Sequence, residues 1–185
     1  TADFVGRFFH IGLAAEFERE SAGKIVLSPE DADEVRRMAD AVRSHPAASF
    51  LLELPGRREA SYTWTDPATG LACKTRPDWH SEDRRIVVDV KTCRDASRVE
   101  FAKAISNLDY HVQAAWNQGA LGAEQFLTIA VENVRPYAVA VYPASGALIA
   151  AGQAQIQADQ QYSSALTGAF SAVASLAGTA LKAVI

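Results

Sequence analysis

Asp89 and Lys91 flank Val90 in the stretch RRIVVDVKT, Arg84 to Thr92. Side chains alternate along a strand, so the acid and the amine share one face while Val88 and Val90 share the other. One face reads as apolar and the other as charged. The next acid positioned to meet Asp89 is Asp78 in RPDW, eleven residues earlier on an adjoining strand. A connecting loop of about five residues brings the two carboxylates together. Adjacent carboxylates repel, and stay ionised at neutral pH when a cation lies between them. An oxygen-rich pair of this kind suits Mg²⁺ or Mn²⁺. Lys91, on the same face, gains a role from this, since an ammonium beside such a metal orients water and offsets charge growing on a phosphate oxygen. Two acids and an amine around a divalent metal make a site for phosphodiester hydrolysis, and Glu59 upstream offers a further carboxylate.

The elements that must hold these groups are readable from period and punctuation. From Arg57 the hydrophobic period is two. REASYTW and LACKTRPDW flank the turn TDPATG, and IVVDVKT follows the polar loop HSEDR, which makes a three-strand meander. Before it, LSPEDADEVRRMADAVRSHP reads as a helix capped by Ser28, opened by Pro29 and ended at Pro46, with a short helical piece after it. His45, at the helix end, reads as a partner for the C-terminal dipole. Residues 2–20 read as a helix with Phe4, Phe8, Ile11 and Phe17 largely on one side. After the meander come two helices, DASRVEFAKAISNL and DYHVQAAWNQGAL, two strands, QFLTIAVEN and PYAVAVY, and a helix from about Ala144 to Tyr162. This order is a mixed α/β arrangement, not a regular βαβ repeat.

Composition sets the outer limits. A chain of 185 residues, 49% hydrophobic and 22% charged, fits one globular domain over 1–185. A formal charge of −4 argues against coating nucleic acid by bulk charge. A local basic surface stays open, because nine of the 18 Lys and Arg fall between Arg57 and Arg98. Cys73 and Cys93 lack metal-ligand spacing and read as free thiols, so a cytoplasmic setting is expected. Residues 163–185 are rich in Ala, Ser and Gly, with no charge from Gln160 to Leu181. A packed or partner-seeking helix is favoured there over a membrane span.

CKTRPDW, IVVDVKT and YHVQAAW in this order, with Glu59 upstream, resemble the PD-(D/E)xK nuclease superfamily. Within it, the likeness is to RecE-type exonucleases (exodeoxyribonuclease VIII) and their prophage-encoded relatives, from about Ala22 to Tyr142. The resemblance implies a restriction-endonuclease-like α/β core, a central mixed sheet with a three-strand meander flanked by helices. It implies that Asp78 and Asp89 bind Mg²⁺ or Mn²⁺, with the Val90 carbonyl as a further ligand. Lys91 becomes the catalytic lysine and Glu59 the acid that completes the site. Gln113 matches the glutamine of a QxxxY motif, whose last position is Asn117 here. GRFFH, Gly6 to His10, matches a GxxxH helix and makes His10 a candidate metal ligand. The spacing after it is short, so residues 1–24 read as a segment in which part of the family's region is missing or replaced.

The same likeness implies linear double-stranded DNA as substrate, degraded from 5′ ends to leave 3′ overhangs for a single-strand annealing recombinase. It also implies a homo-oligomer, in some relatives a ring around DNA. Arg76, Arg84, Arg94 and Arg98 are candidates for phosphate contacts. Trp79, beside Asp78, is either a core aromatic or a stacking surface for a frayed base. Three other readings stand beside these. Asp89 and Lys91 also fit a solvent-facing pair on an edge strand. Asn117 and the unusual tail fit a nuclease-fold remnant that binds DNA or protein without cutting. A paired-carboxylate glycosidase needs no metal and leaves Lys91 without a role.

Overall fold

The computed structural model describes residues 26–182, and the side chains of residues 26–165. The helix read over residues 2–20, and with it His10, lies outside the described residues.

Helix α1 (Pro29–Ser44) starts as its sequence dictates. The Ser28 hydroxyl accepts the Asp31 N–H at 3.0 Å, Pro29 occupies the first turn, and Glu30 and Asp31 sit at the positive end of the dipole. It stops at His45, which turns the chain into α2 (Pro46–Glu53). The His45 ring does not serve the dipole of α1. Its Nδ1 accepts the Ala48 N–H at 3.3 Å and caps α2 instead, because the extended backbone before Pro46 aims the ring forward.

Among the described residues the strands are β1 (Gly56–Arg58), β2 (Tyr62–Thr65), β3 (Ala72–Thr75), β4 (Trp79–Ser81), β5 (Ile86–Cys93), β6 (Gln125–Glu132) and β7 (Val139–Pro143). Five form a mixed sheet in the order β1-β4-β5-β6-β7, with β5 and β6 parallel and the other neighbours antiparallel. The meander is present as β1-β4-β5. The hairpin that supplies its first two strands is longer, and it divides. Its base, β1 and β4, belongs to the main sheet, while its tip, β2 and β3, forms a separate two-stranded ribbon. The register runs on across the break: Arg58 pairs with Trp79 and Tyr62 with Thr75, leaving three residues on each side between them. Two residues account for the interruption. Glu59 has φ 51°, and Pro77 has no N–H to give to a ladder. At the other end of β1, where Gly56 pairs with Ser81, glycine is required, since a Cβ there would collide with the Trp79 indole and the His80 carbonyl.

The parallel crossover from β5 to β6 carries α3 (Arg98–Asn107) and α4 (Tyr110–Leu121), and α5 (Gly146–Lys182) follows β7. The sheet is covered on both faces. On one, Val42, Ala48 and Leu51 pack with Trp79, Val88, Ile129 and Val131. On the other, Val87, Ala114 and Phe126 pack with Leu148 and Ile149, and beside them lie Ala96, Phe101 and Ala130. Val88 and Ile129 have no exposed surface. Burying each stabilises the fold by about 1.5–3 kcal/mol and fixes the strand that carries Asp89. Gly152 lets α5 approach α4 closely, because a Cβ there would overlap the His111 carbonyl. The His111 ring nitrogen Nε2 and the Gln155 amide oxygen lie 3.0 Å apart across the same contact. Among the described residues no helix is long and apolar enough to cross a membrane.

Candidate active site

The break in the hairpin creates the place where the acids meet. Asp78 is the residue after Pro77 and the last before β4, so the β4–β5 register, Trp79 with Val88, continues to Asp78 opposite Asp89. Residues directly opposite across an antiparallel pair share a face. Asp78 also takes over the ladder where β4 has ended: its Oδ2 accepts the Val90 N–H at 2.8 Å. A strand residue presents its N–H and C=O to the same edge, so the Val90 carbonyl faces the Asp78 side as well.

Asp89 is buried, at 2% exposure, and both its oxygens are engaged. Oδ2 meets Lys91 Nζ at 2.8 Å, and Oδ1 accepts from Gln113 Nε2 at 3.0 Å. Lys91 Nζ in turn donates to Gln113 Oε1 at 2.7 Å. Acid, amine and amide thus close a triangle, with the Gln113 amide donating to the acid and accepting from the ammonium. Burial is the largest influence on the Asp89 carboxyl and pushes it above the ordinary aspartate range. The hydrogen bond and charge of Lys91 pull it back, and the Asp78 charge pushes it up again. The Lys91 ammonium also lies over the Tyr110 ring, 4.7 Å from its centroid.

Helix α4 brings both Tyr110 and Gln113 here. Asp109 precedes it in the left-handed region, φ 53° and ψ 30°, which turns the chain sharply out of α3. Residues three apart on a helix share a face, so Tyr110 and Gln113 reach the sheet together. Asn117, one turn further, is buried and accepts the Thr75 hydroxyl. Trp116 donates from Nε1 to the Lys74 carbonyl at 3.2 Å and packs on Trp64, 5.1 Å between centroids. The helix that places Gln113 is thereby tied to the ribbon.

The other sequence candidates fall elsewhere. Glu59 donates its N–H to the Asp78 carbonyl, but its carboxylate turns outward to Arg76 Nε at 2.8 Å. The left-handed backbone at Glu59 sends the side chain away from the acid pair. Among the described residues no three His, Cys, Asp or Glu side chains converge on one point. Arg84 lies over the Tyr62 ring at the far end of β5, while Arg94 and Arg98 are exposed beyond its C-terminal end. Trp79 is a core residue at 2% exposure, which removes it as a stacking surface. β5 is an interior strand whose Asp89 face is roofed by α4, so its acid and amine are not a solvent-facing edge pair. A cavity of about 630 Å³ opens between Leu71, Val112, Trp116 and Ile156, and none of Asp78, Asp89, Lys91 or Gln113 lines it.

The donor set fits a hard divalent cation. Two carboxylates and a backbone carbonyl, gathered where β4 ends beside β5, are what Mg²⁺ accepts alongside water and substrate oxygens. The model for the PDDEXK-like domain of unknown function (DUF3799) matches residues 7–175. The chain belongs to that family. Membership agrees with the mixed α/β sheet and supports a nuclease over a glycosidase. Two solved structures are similar to this PDDEXK-like chain. One is a "putative exonuclease" from Eubacterium rectale, with TM-score 0.58, 13% identity, and coverage of 86% of this chain and 64% of that one. The other is a phage related exonuclease from Haemophilus somnus 129PT, with TM-score 0.46, 10% identity, and coverage of 82% of this chain and 78% of that one. This chain therefore spans just under two thirds of the Eubacterium rectale protein. No curated protein matches it.

Proposed function

We propose that this PDDEXK-like chain is a divalent-metal-dependent deoxyribonuclease of the RecE type, hydrolysing phosphodiester bonds of linear double-stranded DNA from 5′ ends. The observation that carries the reading is the convergence of Asp78, Asp89 and Lys91, with Lys91 Nζ 2.8 Å from Asp89, at the break of a hairpin in a chain of this family. Asp78 and Asp89 would hold Mg²⁺ or Mn²⁺, joined by the Val90 carbonyl. Once bound there, the metal would supply Lewis acidity to offset charge on the phosphate.

The remaining work belongs to the chain's own groups. Lys91 directs a positive charge at a phosphate oxygen as negative charge develops there. Gln113 fixes the direction of both Asp89 and Lys91 through its two amide atoms. Glu59, whose backbone turns its carboxylate away from the acid pair, acts through the Arg76 that it holds, and Arg76, Arg94 and Arg98 contact the DNA backbone. Arg84 serves the same duplex further along the sheet. A role in recombination beside a single-strand annealing protein, and assembly into a ring, extend the same likeness. His10 stays a proposed further ligand.

The test is degradation of linear duplex DNA carrying a label at its 5′ or 3′ end, with Mg²⁺, with EDTA, and in Asp89→Ala and Lys91→Ala. Metal-dependent loss of DNA that both substitutions abolish, with release of the 5′ label first, is the expected result. A folded wild-type chain that binds DNA and leaves it intact would instead favour the non-cutting remnant. That second reading draws on the engagement of both Asp89 oxygens and on Asn117 at the end of the glutamine motif.

A further inference from the structure

Among the described residues, Lys91 meets three neighbours of different kinds. Asp89 is charged, whereas the Gln113 carbonyl oxygen and the Tyr110 ring are neutral. Under the proposed reading, on which this inference rests, the Asp89 oxygens are also wanted by the metal. An ammonium held chiefly by Asp89 would lose its anchor as that carboxylate is drawn away, and its charge is partly cancelled while it stays. Neutral partners do neither. They fix the position of the ammonium and leave its full charge for a phosphate.

The Tyr110 ring is built to stay in place. It follows the left-handed Asp109 as the first residue of α4, so its backbone is set by a turn and not by a flexible lead. Phe101 backs it, 6.3 Å between centroids, and Phe101 is itself buried at 1% exposure. Behind Phe101 lies Tyr142, stacked at 5.1 Å and 13°, whose hydroxyl donates to the Ala96 carbonyl at 2.6 Å. A column of three aromatics therefore runs from β7 to the ammonium. The π face is the negative part of the ring and attracts a cation at this distance.

We infer that Tyr110 is a positioning residue, whose ring face holds the Lys91 ammonium in place when Asp89 is otherwise engaged. The contact is made by the face and not by the hydroxyl, which separates it from a merely structural role. Tyr110→Phe should retain kcat on linear duplex DNA with Mg²⁺ within about twofold, because the π face remains. Tyr110→Leu should lose about tenfold in kcat with KM for DNA nearly unchanged. Full kcat in a folded Tyr110→Leu, or equal damage in Tyr110→Phe, would overturn the inference.

A second readout needs neither turnover nor a variant at Tyr110. In the metal-free wild type, the Lys91 ε-methylene protons should be shifted upfield by the ring, their signal assigned by its loss in Lys91→Met. An ordinary shift there overturns the holding contact, whatever the chain does to DNA. If the shift is present and the folded wild type leaves DNA intact, the nuclease reading fails while the contact stands.

Discussion

Two acid–cation pairs in this chain have the same separation and opposite character. Lys91 and Asp89 meet at 2.8 Å with side-chain exposures of 18% and 3%, and Arg76 and Glu59 meet at 2.8 Å with 63% and 57%. The inner pair is removed from water, tied to Gln113 and roofed by an aromatic ring. The outer pair is more than half exposed and screened by salt. Distance alone ranks them equal; burial separates them in what each costs to break. The cost of breaking a pair follows how much water each partner regains. Asp89 regains almost none, and Glu59 is already wet.

The contrast is open to direct attack. Lys91→Met leaves Asp89 buried beside Asp78 without its cation. It should destabilise the metal-free protein by about 3 kcal/mol in urea unfolding, and lower DNA turnover by roughly 10²–10³-fold. A loss under ~1 kcal/mol would place the inner pair with the outer one. Gln113→Leu deletes one donor and one acceptor from the triangle at once, so a cost of about 2 kcal/mol is expected by the same measurement.

The pH dependence of the metal-free protein bears on the same contrast. Burial raises the Asp89 carboxyl above its ordinary 3.8. A raised folded value means that the contribution of Asp89 to stability is full below the unfolded value and is lost as pH rises through the folded one. Relative to Asp89→Asn, the wild type should therefore lose stability as pH rises above the ordinary aspartate value of 3.8. A relative gain over that range would mean that Lys91 outweighs burial. The smallest effect belongs to the outer pair: Arg76→Ala should change stability by about 0–1 kcal/mol, fading in high salt. Its effect on DNA binding, read as a shallower salt dependence, should be the larger of the two.

Much of this arrangement is legible in the sequence, because it rests on local rules. The Ser28 and Pro29 start of α1, the turn over residues 66–70, and the shared face of Asp89 and Lys91 follow from capping, turn chemistry and a period of two. Asp78 opposite Asp89 follows from a short connection. The division of the hairpin is less visible. Pro77 is a signal for it, but the positive φ of Glu59 has no mark in the residue type. That backbone turn decides where the Glu59 carboxylate goes. Tyr110 lies in the same motif as Gln113, yet its meeting with Lys91 depends on the docking of α4 and not on any spacing within α4, so the sequence does not single it out. Trp79 next to an acid reads equally as rim or core, and only the packing of α1 and α2 on that face separates the two.

The hairpin and the crossover also differ in when they can form. Asp78 and Asp89 are joined through the turn at residues 82–85, whereas Lys91 and Gln113 are bridged by the whole of α3 and the turn into α4. Short connections close at lower entropic cost than long ones, and a parallel pairing such as β5 with β6 waits for its crossover. Loop length alone therefore favours the meeting of the two acids before the amide and ring that steady Lys91. A chain ending at Cys93 would carry Asp78, Asp89 and Lys91 without the Gln113 amide and Tyr110 ring that α4 supplies.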